Sequence, residues 1–433
     1  MELYSTKHLS PNVSLQEAVL TGLPPDNGLY VPSTIPELPA TFFDHIQDMN
    51  FREMALTVGH ALLKDDIDKD SLATIVDDAF NFDTPVVHLE DNIHVLELFH
   101  GPTLAFKDYG ARFMSRLMRY FLRNSDQEIN ILVATSGDTG GAVGYGFLGI
   151  EGIKVTILYP KGKVSEVQEK QLTTIGGNIT TIEVDGNFDD CQSLVKAAFL
   201  DPVLSKTLHL TSANSINIAR LIPQSFYYYQ AYAQLKSSGL PLVVSVPSGN
   251  FGNLCGGLLA YQMGLPVYQF IASTNVNDVV PAYLKTGIFH PKPSVATISN
   301  AMDVGNPSNF PRILAIMNED ESLIKSKISG FAFDDYTTKV KMQEIHERFN
   351  YMMCPHTVVA YLGLKAWMES HRMPVTGVLL STAHPAKFTD IVSPVIGAEV
   401  TLPPPLAQAY RKEKIAVSLS NRMEDLKAFL LSG

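Results

Sequence analysis

Residues 131–141 read Ile131-Leu132-Val133-Ala134-Thr135-Ser136-Gly137-Asp138-Thr139-Gly140-Gly141. A short apolar strand runs straight into a glycine-rich turn, and the residues beyond predict a helix. A strand buried on both faces is a continuous apolar run rather than an alternating one, and a direct turn into a helix marks one βα unit of a parallel sheet. If 131–134 is such a strand, the same pattern should recur along the chain.

It does. Apolar runs at 155–159 (closed by Pro160), 180–184, 208–211, 242–246, 268–272 and 377–380 predict further strands. Helices are expected between them: 165–175, with Ser165 as cap and Gly176-Gly177 as stop; 188–199; one long helix over 216–235; 254–263; and 358–367. Residues 1–85 read as a separate, mainly helical region. It holds a turn at Asn27-Gly28, a short extended piece over 29–32, and a helix with Ser71 as its cap and Leu72, Ile75, Val76 and Ala79 on one face. The expected fold class is α/β, with two open, mostly parallel sheets after that helical region.

Bulk properties narrow the function. The 433 residues are 45% hydrophobic and 18% charged, which is ordinary globular composition. The net charge of −11 shows no basic stripe for nucleic acid. No uncharged apolar run reaches the ~18 residues that a membrane span needs. Cys191, Cys255 and Cys354 lie far apart, which speaks against a disulfide framework or a zinc knuckle. The 12 histidines lack metal-ligand spacing, so no metal is expected. A soluble, cytoplasmic protein is expected, with neither nucleic acid nor membrane as partner.

In open α/β sheets, ligands bind beyond the carboxyl ends of strands, so the loops there carry the chemistry. In Thr135–Gly141 the glycines present N–H groups at a helix start, and Ser136 and Thr139 add hydroxyls, which suits a carboxylate. A plain helix-capping turn is the alternative. The turn Pro247-Ser248-Gly249-Asn250-Phe251-Gly252-Asn253 suits a phosphate, yet lacks Walker A spacing. Asn214, Ser215, Asn217 and Arg220 gather near one helix start, and an arginine fork with amide donors suits a second phosphate or carboxylate. Leu380-Ser381-Thr382-Ala383-His384-Pro385-Ala386-Lys387-Phe388, at the end of the last strand, offers hydroxyls that could meet a ring nitrogen and is weak evidence alone. Two patterns are decoys. Gly144-Tyr145-Gly146-Phe147-Leu148-Gly149 matches a dinucleotide fingerprint but falls inside a predicted helix. Asp138-Thr139-Gly140 matches an aspartic protease triplet but has no second copy to share a proton.

Lys107 lies in Leu98-Phe99-His100-Gly101-Pro102-Thr103-Leu104-Ala105-Phe106-Lys107-Asp108, an apolar setting unusual for a solvated lysine. Desolvation would lower its pKa, and such an amine forms Schiff bases. A phosphate turn plus a Schiff-base lysine is what pyridoxal 5′-phosphate requires.

These stretches together are recognisable. LFHGPTLAFKD, ATSGDTGGAVGYG, YPKGKVSEVQEKQ, TSANSINIARLIPQ, VPSGNFGNL, STNVNDVVPAYL, SNAMDVGNPSNF and STAHPAKF, with the early GLYVP, resemble the threonine synthases. The likeness is to the longer form found in many bacteria and fungi, of the tryptophan-synthase-β (fold type II) class. The resemblance implies a large cofactor-binding α/β domain from 86–125 and 226–433, with a small α/β domain, 126–225, inserted in it. It implies Lys107 as the lysine that holds pyridoxal 5′-phosphate and as the catalytic base. Gly249, Asn250, Phe251, Gly252 and Asn253 would cradle the cofactor phosphate, Thr382 would meet the ring nitrogen, and Asp138 would stand near the 3′-oxygen, where relatives carry asparagine. Ser136, Gly137 and Thr139 would hold the substrate carboxylate, and Asn214, Ser215, Asn217 and Arg220 the substrate phosphate. The implied reaction converts O-phospho-L-homoserine and water to L-threonine and phosphate, in a monomer or homodimer. Another fold type II lyase, a dehydratase or phospholyase, is the competing reading.

Overall fold

The computed structural model describes residues 1–432. Its largest sheet has six strands, in spatial order Ile328–Ala332, Val267–Thr274, Leu242–Pro247, Thr376–Ser381, Ile93–Glu97 and Val86–Glu90. Neighbours are parallel except the last pair. A second, five-stranded sheet is parallel throughout, in the order Val417–Ser420, Ile179–Asp185, Ile153–Pro160, Ile129–Ala134 and His209–Ser212. Every residue of Leu242–Pro247 and of Thr376–Ser381 is buried, as their unbroken apolar runs require of strands covered on both faces.

The helix Lys107–Leu122 joins the two sheets and is buried on nearly all sides. Its Tyr109 and Phe113 pack into an aromatic cluster with Phe51, Phe80, Phe226 and Tyr227. Arg112 fastens the helix to the N-terminal region, donating from Nε to the carbonyl of Ala79 (2.7 Å) and from Nη2 to that of Asp78 (2.5 Å), at the end of the helix Lys69–Ala79. Against the next helix, Asp138–Phe147, it comes so close that a Cβ on Gly146 would lie 3.1 Å from the backbone of Ala111. Within the dinucleotide-like pattern, Gly146 therefore serves helix packing, Gly144 packs against Ile157 and Ile175, and Gly149, at φ +72°, turns the chain after the helix.

Several expectations are corrected. The stretch 216–235 is two helices, Ile218–Leu221 and Pro223–Leu235. Pro223 has no N–H to continue the ladder, and the axis breaks there. Asn217 caps the first of them, leaving Ile216 outside it. Asp68, not Ser71, caps the helix Lys69–Ala79, because its carboxylate accepts the Ser71 N–H at 2.9 Å. The N-terminal region also carries an antiparallel sheet of Glu2–Ser5, Val13–Ser14 and Tyr30–Pro32. Most consequentially, 226–433 is not all one unit. Val417–Ser420 pairs in parallel with Ile179–Asp185, and the helix Met423–Ser432 packs on that second sheet through Leu426. A four-residue strand of alternating polarity gives too little pattern to show which sheet it joins.

Lys414 clasps this tail to the second sheet. Its Nζ lies 2.5 Å from Glu183 Oε1 and 2.9 Å from Glu169 Oε1, and Glu183 is only 7% exposed. Lys414 holds the Glu183 carboxyl below its usual range despite burial. Replacing it by methionine leaves the buried carboxylate with only the hydroxyls of Ser418 (3.1 Å) and Tyr159 (3.3 Å) and the more distant Lys161 (3.7 Å), at a cost of ~1–3 kcal/mol. Denaturant melts of Lys414→Met should show that loss, and adding Glu183→Gln should recover most of it. A stable single variant would mean the clasp contributes nothing.

Candidate active site

Lys107 is placed by backbone pairing across the first sheet. Ala105 and Ala383 form an antiparallel bridge, the Phe106 N–H donates to the Thr382 carbonyl (2.8 Å), and the His384 N–H donates to that of Leu104 (3.0 Å). The loop before Lys107 is closed by Asp108, whose carboxylate accepts the Thr103 N–H (2.9 Å) and hydroxyl (2.7 Å). A Cβ on Gly101 would lie 2.4 Å from Asp108 Oδ2, so only glycine admits this closure. Lys107 thus opens its helix beside the end of strand Thr376–Ser381, with Nζ 4.6 Å from the Phe106 ring centre.

One cavity gathers Lys107, Ser136, Asp138, Thr139, Asn214, Ser215, Arg220, Gly249, Asn250, Phe251, Gly252, Asn253 and Thr382. These come from loops at the strand ends of both sheets. Phe251 has φ +62°, in the left-handed region that aromatic residues rarely enter. The N–H groups of Gly249, Asn250 and Phe251 have no acceptor among the described residues. With the start of the helix Gly252–Gln262 they make a concavity suited to an anion. Asn253 braces this turn, donating to the Pro247 carbonyl at 2.7 Å, which an aspartate could not do. Asn250 is fixed through Oδ1, which accepts from both the N–H and the hydroxyl of Ser308 (3.1 Å each), leaving its amide nitrogen for the cavity.

On the facing wall, Thr135 Oγ1 accepts the Gly137 and Gly140 N–H groups (2.9 Å each) and shapes the turn carrying Ser136 and Thr139. Arg220 is buried, and its Nη1 donates to the Ala213 carbonyl. Its Nε has no partner among the described residues. Ser215 Oγ accepts from Asn309 (3.1 Å) and keeps its own proton to give, and Asn214 is tied through Nδ2 to the Ala134 carbonyl (3.0 Å).

Electrostatics converge on Lys107. Burial and the neighbouring Arg220 push its amine down to about 8, with Asp138 pulling the other way. Its position at a helix start, the positive end of the dipole, also disfavours an ammonium. Burial lowers Arg220 to about 10. His356, which also lines the cavity, is pushed down to about 4 by burial, and its Nε2 accepts the Ala301 N–H (3.2 Å). The neutral ring therefore carries its proton on Nδ1. His356, Asp108 and Lys387 are not legible from the sequence, because none stands in a turn beside a predicted strand end except Lys387, whose motif is weak alone.

Two expected site residues fall outside. Asn217 donates to the carbonyls of Val19 (2.9 Å) and Ser212 (3.2 Å) and accepts from Ala219 N–H (3.0 Å), so its amide is fully spent as a cap. Gly137 does not line the cavity; it packs on Gln168, which a Cβ would meet at 2.5 Å. His100 bonds Glu97 (2.7 Å), His384 Nδ1 accepts Ala386 N–H (3.1 Å), and Lys163 is exposed; none of the three lines the cavity.

Comparison with known proteins identifies the family of the chain. A family model described as pyridoxal-phosphate dependent enzyme matches residues 79–382, one described as threonine synthase N terminus matches 2–80, and one for the threonine synthase C-terminal part matches 357–430. The chain is 43% identical over 432 residues to threonine synthase of Serratia marcescens, covering 100% of this chain and 99% of that one. It is 46% identical over 409 residues to that of Escherichia coli, covering 94% of each. The crystal structure of the Escherichia coli threonine synthase superposes with a TM-score of 0.93 at 43% identity, over 100% of both chains. Full-length identity, matching N- and C-terminal models and a common fold leave one assignment: the chain belongs to the threonine synthases, pyridoxal-phosphate-dependent enzymes of fold type II.

Proposed function

We propose that this cavity converts O-phospho-L-homoserine and water to L-threonine and phosphate, with Lys107 as cofactor anchor and catalytic base. The observation that carries the reading is an amine lowered to about 8, enclosed with unpaired anion donors on two walls. The donor set fits pyridoxal 5′-phosphate. The free N–H groups of Gly249, Asn250 and Phe251, with the helix start at Gly252, would take its phosphate. The Thr382 hydroxyl, bonded to nothing else among the described residues, would meet the ring nitrogen, and Asp138 would flank the ring. When bound, the cofactor supplies an electron sink for the charge left by proton loss.

The chain's own residues do the rest. Ser136, Thr139 and the start of the helix Asp138–Phe147 hold the substrate carboxylate. Arg220, Asn214 and Ser215 hold its phosphate, and Arg220 stabilises the charge that grows as phosphate leaves Cγ. The neutral Lys107 amine takes the Cα proton, passes it on and takes a Cβ proton. Once phosphate has left, Cγ takes up a proton and becomes the methyl group, water gives its hydroxyl to Cβ, and Cα regains a proton. All these residues come from a single chain, which supports a site complete in a monomer or in each half of a homodimer. Three unpaired, buried cysteines support a reducing, cytoplasmic setting.

Lys107→Ala should lose both the borohydride-fixable cofactor and turnover; turnover at the native rate would refute the assignment. Uptake of pyridoxal 5′-phosphate by cofactor-free protein should rise through a midpoint near pH 8, since only the neutral amine reacts. A midpoint near that of an ordinary lysine would show that the site does not perturb it. A Cβ on Gly110 would lie 2.6 Å from Arg220 Nε, so Gly110→Ala should displace the guanidinium. Steady-state assays should then show kcat/KM for phosphohomoserine about 100-fold lower, the scale of one lost charge-stabilising contact, with cofactor content kept. Lost cofactor with an intact substrate KM would instead tie Arg220 to the cofactor.

A further inference from the structure

Behind the cavity wall lies a charge that the reaction scheme does not use. Lys387, in the turn Pro385–Phe388, has a fully buried side chain. Its Nζ sits 2.8 Å from Asp138 Oδ1 and donates to the Thr103 carbonyl at 2.8 Å. Gln168 donates to the same Asp138 oxygen at 3.0 Å, and the Lys387 carbonyl accepts the Ser165 hydroxyl at 2.9 Å. Asp138 Oδ2 accepts no bond among the described residues, and Asp138, unlike Lys387, lines the cavity with Lys107. So the ammonium touches no reacting atom and can act only through the carboxylate in front of it.

We propose that Lys387 is a positioning residue that cancels the Asp138 carboxylate facing Lys107, and so leaves the Lys107 nitrogen able to give up its proton. The inference rests on Lys107 being the cofactor-bearing base. An uncompensated carboxylate in a low-dielectric cavity would hold a proton on that nitrogen, removing the base the reaction needs. Lys387 holds the Asp138 carboxyl below its usual range although burial alone would raise it. The other groups around the pair are accounted for. Lys107 also faces the Arg220 cation and the His356 ring, which burial keeps neutral. Asp138 also faces that ring and the Cys354 thiol, which burial keeps protonated. Lys387 also faces Asp108, which is raised to about 6 by burial and is already satisfied by Thr103, and the His384 ring, which burial pushes down to about 4 and so keeps neutral. Of these groups, Asp138 and Lys387 alone form a contact ion pair.

The test is a pH titration of the visible absorbance of the full-length, cofactor-loaded protein, read beside the rate of cofactor uptake by stripped protein against pH. Lys387→Met should raise both midpoints by about one unit, the scale of one nearby opposite charge. Asp138→Asn, which leaves Lys387 uncompensated, should lower them by a similar amount, and the double variant should return close to the unaltered protein. A purely structural pair would not give opposite signs that cancel. Midpoints that stay in place in both single variants would overturn the proposal. If Lys387→Met does not fold, Asp138→Asn and the double variant decide alone: a lowered midpoint restored in the double supports it, and equal midpoints sink it. Lys107→Ala separates the two readings. A titrating band that survives in it refutes the role of Lys107, whereas a band lost there but insensitive to Lys387 refutes only the role given to Lys387.

Discussion

The site depends on a short antiparallel contact in an otherwise parallel setting. Ala105 and Ala383 bridge, and hydrogen bonds on either side join 104–106 to 382–384. This pins the first turn of the helix Lys107–Leu122 to the end of strand Thr376–Ser381. Lys107 and Thr382 share a cavity because their neighbours are paired backbone to backbone, with no side-chain freedom between them. Leu104, at φ +57°, carries the strain of turning the chain into that pairing, and the Asp108–Thr103 closure holds it there.

Around that contact the protein buries an unusual number of charges. Arg220, Arg312, Lys387, Asp108 and Asp138 are all buried. An isolated buried charge is prohibitive, so each is tied to backbone or to an opposite charge. Arg312 shows the pattern at some distance from the chemistry: it donates to the carbonyls of Tyr30 (3.1 Å), Ser215 (3.1 Å) and Ile216 (2.8 Å). It thereby joins the N-terminal sheet to the segment that ends in Arg220. The N-terminal region is thus part of the frame of the site.

Much of this was legible in the sequence, for a physical reason. The strands at 131–134, 155–159, 180–184, 242–246, 268–272 and 377–380 are continuous apolar runs, as burial on both faces demands, where a half-exposed strand would alternate. The two glycine turns were legible because close approach at a strand end excludes a side chain: a Cβ on Gly249 would lie 2.7 Å from the Ala301 carbonyl oxygen, and one on Gly140 2.6 Å from Thr135. What escaped was decided by tertiary contact. Asn217 has the same composition signal whether it caps a helix or faces a ligand. Lys387 and Asp138 are far apart in the chain, and nothing local marks a pair that forms only when two sheets meet. Ser71 and Asp68 are both good caps by residue type, and the helix starts one turn earlier, with Asp68 accepting the Ser71 N–H. Val417–Ser420 is too short and too polar to declare its partner.

That last strand has a consequence for biosynthesis. The chain emerges from the ribosome at ~5–20 residues per second, so the Ile179–Asp185 edge waits on the order of tens of seconds for its neighbour. A bare parallel edge is a template for aggregation, and an inward-pointing charge is one natural guard against it. Glu183 lies in that edge strand with only the exposed Lys161 (3.7 Å) as an earlier cationic partner, and the closer Lys414 arrives only with the segment that covers the edge. A carboxylate on an uncovered strand is the kind of charge that guards such an edge until its neighbour pairs with it.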